Sequence, residues 1–510
     1  MDPRLEQESN PDVLREVVRS VVLENQRLSA ALRDALTRLA KLTGTAQAAL
    51  FTEVQLLQER LNDANRRLFG ESSEKREHTT SEAEAAETSA PPPKKRGHGP
   101  APQTELPRFE IQHTVAPQDA VCTSCGGEMQ VWEGQEETSE EVTSIERHFV
   151  VHVHTRQKLR CSCGGCIKVA DAPLKLREAG RYSVDFAIEV AVSKYLDHLP
   201  LERQVRIMAR EGLTVESQTL WDQVEALATW MQPAWKRLGE FQREQPLLHV
   251  DETPWRLTER QSPAKRWWAW VSRSDSGVYF ELKDTRSAKG AQSLLLGYCG
   301  LVMSDGYAAY KAIHRETLLA KGTTFQHAHC WAHVRRKFVE LEESFPAESK
   351  EALRQLGALF AIERKVPESR VDADSLAARL ALRRERSAPL VHAFGRWIAS
   401  LTPLPQSGLA KAVQYTENLW LGLNVFLTQP RVPLSNNAAE RAVRGPVIGR
   451  KNYYGSRSQR GCQVAAIFYS LLESAKLCGL EPKAYLRGAV AEALAGRVIR
   501  LPHEVRAARL

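Results

Sequence analysis

Asp251 and Asp305 each stand at the end of an apolar, strand-like run. One lies in "HVDETPW" (residues 249–255), the other in "GLVMSDGYAAY" (residues 300–310). A buried carboxylate must be paired, hydrogen-bonded or bound to a metal. A third acid, Glu440, is alone among seven Lys and Arg between residues 431 and 460, a segment that carries +6. Hard oxygen donors suit Mg²⁺ or Mn²⁺, and three carboxylates can hold two ions about 3.5–4 Å apart, an arrangement made for in-line displacement at phosphorus. So local a positive charge also suits a polyanion. Phosphate contacts are expected from Arg441, Arg444, Arg450, Lys451 and Arg457, with Tyr453 and Tyr454 placed to stack on unpaired bases. Each acid also has a plainer reading. Asp251 starts a turn before Pro254, Asp305 sits in an Asp-Gly turn, and Glu440 completes a capping box with Asn437 as N-cap.

Cysteine and histidine mark two further places. Nine cysteines are present, five of them between Cys122 and Cys166, in "CTSC" and "CSCGGC". Two Cys pairs joined by a strand-like segment are the donor set of a tetrahedral structural Zn²⁺. Cys122, Cys125 and Cys163 are ligands in this reading, and either Cys161 or Cys166 is the fourth. "HAHCWAH" offers His329 and His333, four apart and able to share a helical face as metal ligands, but the favoured reading is hydrogen-bonded histidines packed near the acids. Trp267, Trp268 and Trp270 alternate on a strand, which puts Trp268 and Trp270 on one face and Trp267 on the other.

The acids need elements to hold them. From residue 245 the pattern reads as strand with Asp251, then two strands around the "SDSG" turn, a helix over about 287–296, a strand with Asp305, a helix and a short strand "TTFQHAH". That order is the order of a ribonuclease-H-like core, in which the first and fourth strands are neighbours and bring Asp251 beside Asp305. The third acid then arrives on a later helix, after a helical insertion over about residues 340–428.

The remaining segments flank this core. Residues 1–70 read as an N-terminal helical, coiled-coil region for self-association, and 71–108 as a flexible Ser/Glu/Ala/Pro/Lys linker. Residues 109–176 form the zinc-binding domain. Residues 177–242 form a helical, helix-turn-helix-like domain, with a turn at Gly212 and a second helix begun at Thr214 or Ser217. The catalytic domain spans 243–460, and 461–510 is a C-terminal helical region. The fold class is thus multidomain α/β. Hydrophobic content of 43% with 26% charged residues and a net charge of +8 describes a soluble protein. No membrane span or signal peptide is legible, so a cytoplasmic, nucleoid-associated place is expected.

Several blocks together resemble a known family. "HVDETPW", "SDGYAAY", "HCWAHVRRKF", "NNAAERAVRGPVIGRKNYYGS" and "AAIFYSLLESAKLCGLEPKAYL" are similar to the blocks of insertion-sequence family 66 transposases, the large DDE protein of those elements. "RRLFGESSEKR" resembles that family's junction between N-terminal helix and linker. Two departures stand out: Ser435-Asn436-Asn437 replaces Asp-Asn-Asn, and the "CSCGGC" spacing differs from a plain pair. The resemblance implies a DNA transposase with Asp251, Asp305 and Glu440 as the Mg²⁺-binding catalytic acids, and favours Asp251 over its neighbour Glu252. It implies binding of terminal-repeat and target double-stranded DNA, strand cleavage and strand transfer, and work as a homo-oligomer with small companion proteins. Two other functions compete. One is a catalytically inactive, zinc-containing repressor derived from a transposase. The other is a nuclease using His327 and His329 for metal and Tyr453 or Tyr454 as nucleophile.

Overall fold

A computed structural model of the chain describes residues 148–508, apart from 161–165, 178–179, 259–264, 323 and 368–371, together with isolated positions 124, 126, 127 and 139. The helical reading of the N-terminus, the linker, and Cys122, Cys125, Cys161 and Cys163 lie outside the described residues. The chain divides into two units, Glu71–Arg147 and the remainder; every element below belongs to the second. A small exposed hairpin comes first, β1 (Lys158–Arg160) antiparallel to β2 (Ile167–Val169), with the free thiol of Cys166 exposed just before β2.

Three helices follow: α1 (Val184–Tyr195), α2 (Leu201–Arg210) and α3 (Ser217–Arg243). Gly212 makes the turn between α2 and α3 at φ 87°. The helix-turn-helix reading places α3 in a DNA groove. Leu220, Val224, Leu227, Ala228, Met231, Ala234, Trp235 and Leu238 recur every three or four residues along α3 and are all buried, so its apolar stripe is covered by the chain's own core. The helix packs on α1 and on the sheet and serves as a spine for this half of the molecule.

The sheet is mixed and five-stranded. β3 (Leu247–Leu257), β4 (Lys265–Arg273) and β5 (Val278–Lys283) form an antiparallel meander. Ser274 and Gly277 close its second turn through a backbone hydrogen bond of 2.9 Å. α4 (Ala288–Leu295) crosses over to β6 (Leu301–Ser304), which lies parallel to β3, and α5 (Ala308–Lys321) leads to β7 (Gln326–His329), parallel to β6. The strand order is β5-β4-β3-β6-β7.

β3 does not end at Asp251. It runs on to Leu257, and Asp251 lies opposite Val271 of β4. What ends there is the neighbour on the other side, since β6 accompanies β3 only from Leu247 to His249. With no ladder on that edge beyond His249, Pro254 and its missing N–H are tolerated inside the strand.

Helices complete the molecule. α6 (Trp331–Val339), α7 (Pro346–Glu363), α8 (Ala373–Leu382), α9 (Ala388–Ser400) and α10 (Gly408–Asn424) surround a second apolar core that contains Trp331, Phe338, Leu356, Phe394 and Phe426. A π-helical turn, Arg383–Ser387, joins α8 to α9. α11 (Asn437–Tyr453) returns across β3 and β4, and α12 (Gln459–Leu477) covers β5. α13 (Pro482–Leu494) and α14 (Pro502–Ala507) follow. One continuous core joins α1–α3, the sheet and α11–α13, from Leu176 to Leu501. The whole is mixed α/β and mostly helical. Among the described residues, no helix is long and apolar enough to cross a membrane.

Candidate active site

Alternation along β3 sorts its side chains between two faces. Toward α11 point the odd-numbered residues. His249 Nδ1 lies 3.1 Å from Asn436 Oδ1, Thr253 Oγ1 accepts from Arg450 at 2.8 Å, and Trp255 Nε1 donates to Ser456 Oγ at 3.1 Å. Asp251 belongs to this face. Glu252 belongs to the other, where Arg286 and Tyr310 hold its carboxylate. Two adjacent acids are therefore separated by the pleat: Glu252 is fully engaged by protein donors, and Asp251 is not.

Asp251 accepts one hydrogen bond, from the backbone N–H of Glu252 at 2.8 Å. Burial pushes its carboxyl up to about 8, and the nearby charges of Glu252, Asp305 and Glu440 push in the same direction. Such a carboxyl stays protonated at neutral pH unless a cation compensates it. Asp305 lies just beyond the end of β6. Its Oδ1 accepts from the N–H of Tyr307 at 2.9 Å, and its carbonyl accepts from Tyr415 of α10 at 2.7 Å. The Asp-Gly turn is present, with Gly306 at φ 90°. It sets the direction of Asp305 while leaving Oδ2 outside these bonds.

Glu440 stands in the first turns of α11. The capping-box reading does not hold, because the helix starts one residue earlier than that reading requires. Asn436 is the N-cap, without a side-chain capping bond, and Glu440 lies beyond the capping-box position. Its Oε1 is buried, accepts no hydrogen bond, and lies 3.7 Å from His333 Nε2. Asn436 has a different task. It is 1% exposed, its Nδ2 donates to the carbonyl of Val250 at 2.8 Å, and its N–H donates to Cys330 Sγ at 3.1 Å. It thus ties the start of α11 to the strand one residue before Asp251. The sequence signal for this was the polar pair Asn436-Asn437 before an apolar-periodic helix, and its partners are contacts that only the fold creates.

The histidines divide. His327 Nε2 bonds Ser304 Oγ at 2.7 Å, and burial holds its imidazole well below the usual range. His329 is pushed down to about 4 by burial and is packed so closely that a side chain at Gly422 would overlap its ring. His329 ends β7 and His333 lies in α6, so no single helical face carries both. His333 turns to Glu440 instead.

The basic residues also divide. Arg441, Arg444 and Lys451 are exposed with Ile448 between them, at the spacing of one helical stripe on α11. Arg457 is exposed and lies 3.4 Å from Glu202. Arg450 is half-buried and bonds Thr253 Oγ1 and the Pro254 carbonyl, so it braces β3. Tyr453 is turned inward. Its hydroxyl bonds that of Tyr469, and its ring meets Trp255 and the ammonium of Lys194. This removes it as a stacking platform or nucleophile, and of the two tyrosines Tyr454, 70% exposed, faces solvent. A cleft of about 160 Å³ beside the first turn of α11 is walled by Arg273, Arg441 and Ser435 among others.

Among the described residues, no group of three or more His, Cys, Asp and Glu is drawn together tightly enough to hold an ion as it stands. The donor set nonetheless fits hard divalent ions: all three groups are oxygen donors, Asp251 carries an uncompensated burial cost, and Glu440 keeps a buried oxygen without a hydrogen bond.

Comparison with known proteins gives consistent matches. A family model described as "Transposase IS66 family" matches residues 179–464, a span that contains all three acids. The chain is 31% identical to the uncharacterized protein y4jD of Sinorhizobium fredii over 407 residues, 77% of this chain and 78% of that one. It is 29% identical to the uncharacterized protein y4hP of the same organism over 417 residues, covering 77% and 74%.

Proposed function

Since this chain belongs to the IS66 family of transposases, we propose that it binds the ends of its own insertion sequence and catalyses Mg²⁺-dependent strand cleavage and strand transfer. Asp251, Asp305 and Glu440 are the catalytic acids in this reading. The observation that carries it is their electrostatic meeting at Asp251, from β3, the turn after β6, and α11. The parallel pairing of β3 with β6 inside a β5-β4-β3-β6-β7 sheet supports a ribonuclease-H-like core.

Asp251, Asp305 and Glu440 would hold the ions, which when bound supply charge neutralisation and a more acidic water or DNA hydroxyl. The protein's own contribution is placement. Asn436 sets α11 against β3, the Asp305 turn is bonded to Tyr307 and Tyr415, and His333 stands beside Glu440. Arg441, Arg444 and Lys451 on the outer stripe of α11 supply phosphate contacts that lead a duplex toward these acids. The cleft between Arg273 and Arg441 suits a backbone phosphate. A Zn²⁺ held by four of Cys122, Cys125, Cys161, Cys163 and Cys166 belongs to the same proposal as a structural ion.

The test is cleavage of labelled element-end DNA in Mg²⁺ by wild type and by Glu440→Gln, with the element's companion proteins present. Cutting by wild type alone, releasing a 3′-hydroxyl and no covalent adduct, is the expected result. Equal cutting by both proteins removes Glu440 from the active site. End binding that is indifferent to Mg²⁺, with no cutting by either protein, favours the repressor.

A further inference from the structure

We propose that Arg286 is a positioning residue that couples the Asp305 turn to the strand carrying Asp251; the inference rests on the reading of those acids as the transposase's catalytic pair. Arg286 lies in the segment between β5 and α4, outside the motifs that drew attention in the sequence. Its Nε and Nη2 donate to Glu252 Oε1 at 3.1 and 2.8 Å. The other oxygen of Glu252 accepts from the Tyr310 hydroxyl at 2.8 Å. The Glu252 side chain is 2% exposed, so this carboxylate is held by protein donors alone.

The guanidinium is fixed in plane as well as in direction. It lies 4.6 Å from the ring centre of Trp268 and 4.2 Å from that of Tyr307. Tyr307 then closes the link. Its hydroxyl donates to the Arg286 carbonyl at 3.1 Å, and its backbone N–H donates to Asp305 Oδ1 at 2.9 Å. A continuous run of contacts thus passes from Glu252, one residue after Asp251, through Arg286 and Tyr307 to the Asp305 carboxylate.

Pinning Glu252 on one face of β3 sets the pleat that presents Asp251 on the other. Only a planar, forked cation can meet Glu252 through two nitrogens and lie against two aromatic rings at once. A lysine keeps the charge and loses the fork. The Arg286 side chain is 44% exposed, so a direct contact to a DNA phosphate is the competing role, and the experiment separates the two.

Full-length Arg286→Lys and Tyr307→Phe are compared with wild type by four measurements. These are Mn²⁺ binding without DNA by electron paramagnetic resonance, end-DNA affinity without metal across a salt series, kcat and KM for end cleavage, and thermal melting. The expected result is Mn²⁺ affinity several-fold weaker in Arg286→Lys, kcat lower by about tenfold or more with KM little changed, and metal-free DNA affinity and salt slope as in wild type. Tyr307→Phe, which loses one hydroxyl, moves the same quantities in the same direction by less. Unchanged Mn²⁺ affinity and kcat in both variants overturn the proposal. A weaker metal-free affinity with a salt slope lower by about one also overturns it, in favour of a phosphate contact. A melting temperature that falls in step with activity, with Mn²⁺ affinity intact, reduces Arg286 to a stabilising residue. Asp251→Asn serves as the reference: retained Mn²⁺ binding and cleavage there sink the reading of the acids themselves, whatever Arg286 does.

Discussion

Asp251 makes the chemistry of this site measurable without DNA. Burial pushes its carboxyl up to about 8 in the folded chain, from the ordinary 3.8 of an exposed aspartate. Between those values the folded, metal-free protein holds a proton that the unfolded chain has released. Stability contributed by this group is therefore present below about pH 4 and falls as pH rises toward 8. Asp251→Asn should flatten that part of a stability-versus-pH profile measured by urea unfolding. Mg²⁺ must displace the same proton, so its affinity should rise with pH by up to about tenfold per unit and level off above 8, as titration calorimetry can check. Asn436 offers a second test at this scale. Asn436→Ala removes the Nδ2 donor from the buried Val250 carbonyl and should cost about 1–3 kcal/mol in urea unfolding, with cleavage falling further than stability explains. The three acids stood out as candidates from residue type and context. Arg286, Asn436 and the inward turn of Tyr453 did not, because each depends on partners far away in sequence.

Under the proposed function, elements decide which of the basic residues are presented to DNA. Arg441, Arg444 and Lys451 share the outer stripe of α11, whereas Arg450 faces β3. Replacing any of the first three by Ala should weaken end binding evenly across sequences and lower the salt slope by about one each. Arg450→Ala should lower the melting temperature and leave the slope unchanged. A similar division holds at the sheet edge. The backbone N–H groups of Val278 and Phe280 on β5 donate to Ser474 and Ser470 of α12, both at 2.8 Å. The helix thereby satisfies donors that an edge strand would otherwise bury unpaired. Ser470→Ala with Ser474→Ala should destabilise by about 1–3 kcal/mol for each orphaned donor. Strand and helix periodicity was readable throughout this region, including the Ser274–Gly277 turn. The length of β3 was not, because a carboxylate followed by Thr253 and Pro254 has the local chemistry of a stop.

At the scale of the whole molecule, α1–α3, the sheet and α11–α13 share one core. The sequence divides this region into a helical domain, a catalytic domain and a C-terminal helical region, but packing leaves no gap between them. A chain ending at residue 460 should lose cooperative unfolding altogether, as circular dichroism melting would register, since α12 contributes Val464, Ile467, Phe468, Leu471 and Leu472 to the common interior. α3 belongs to the same account. Its helical pattern was plain, and its apolar stripe packs into the common core.

Residue order alone determined the alternation of strands and helices, the local positive charge and the family likeness, and marked three acids as candidates, because each is written in spacing and composition over short windows. Tertiary structure decided which neighbours compensate which charge. It set Glu252 against Arg286 and Tyr310, left Asp251 with a single backbone hydrogen bond, and turned Arg450 and Tyr453 inward. Those choices come from pleat, register and packing between segments up to about two hundred residues apart, and burial energies of that kind have no expression in a local pattern.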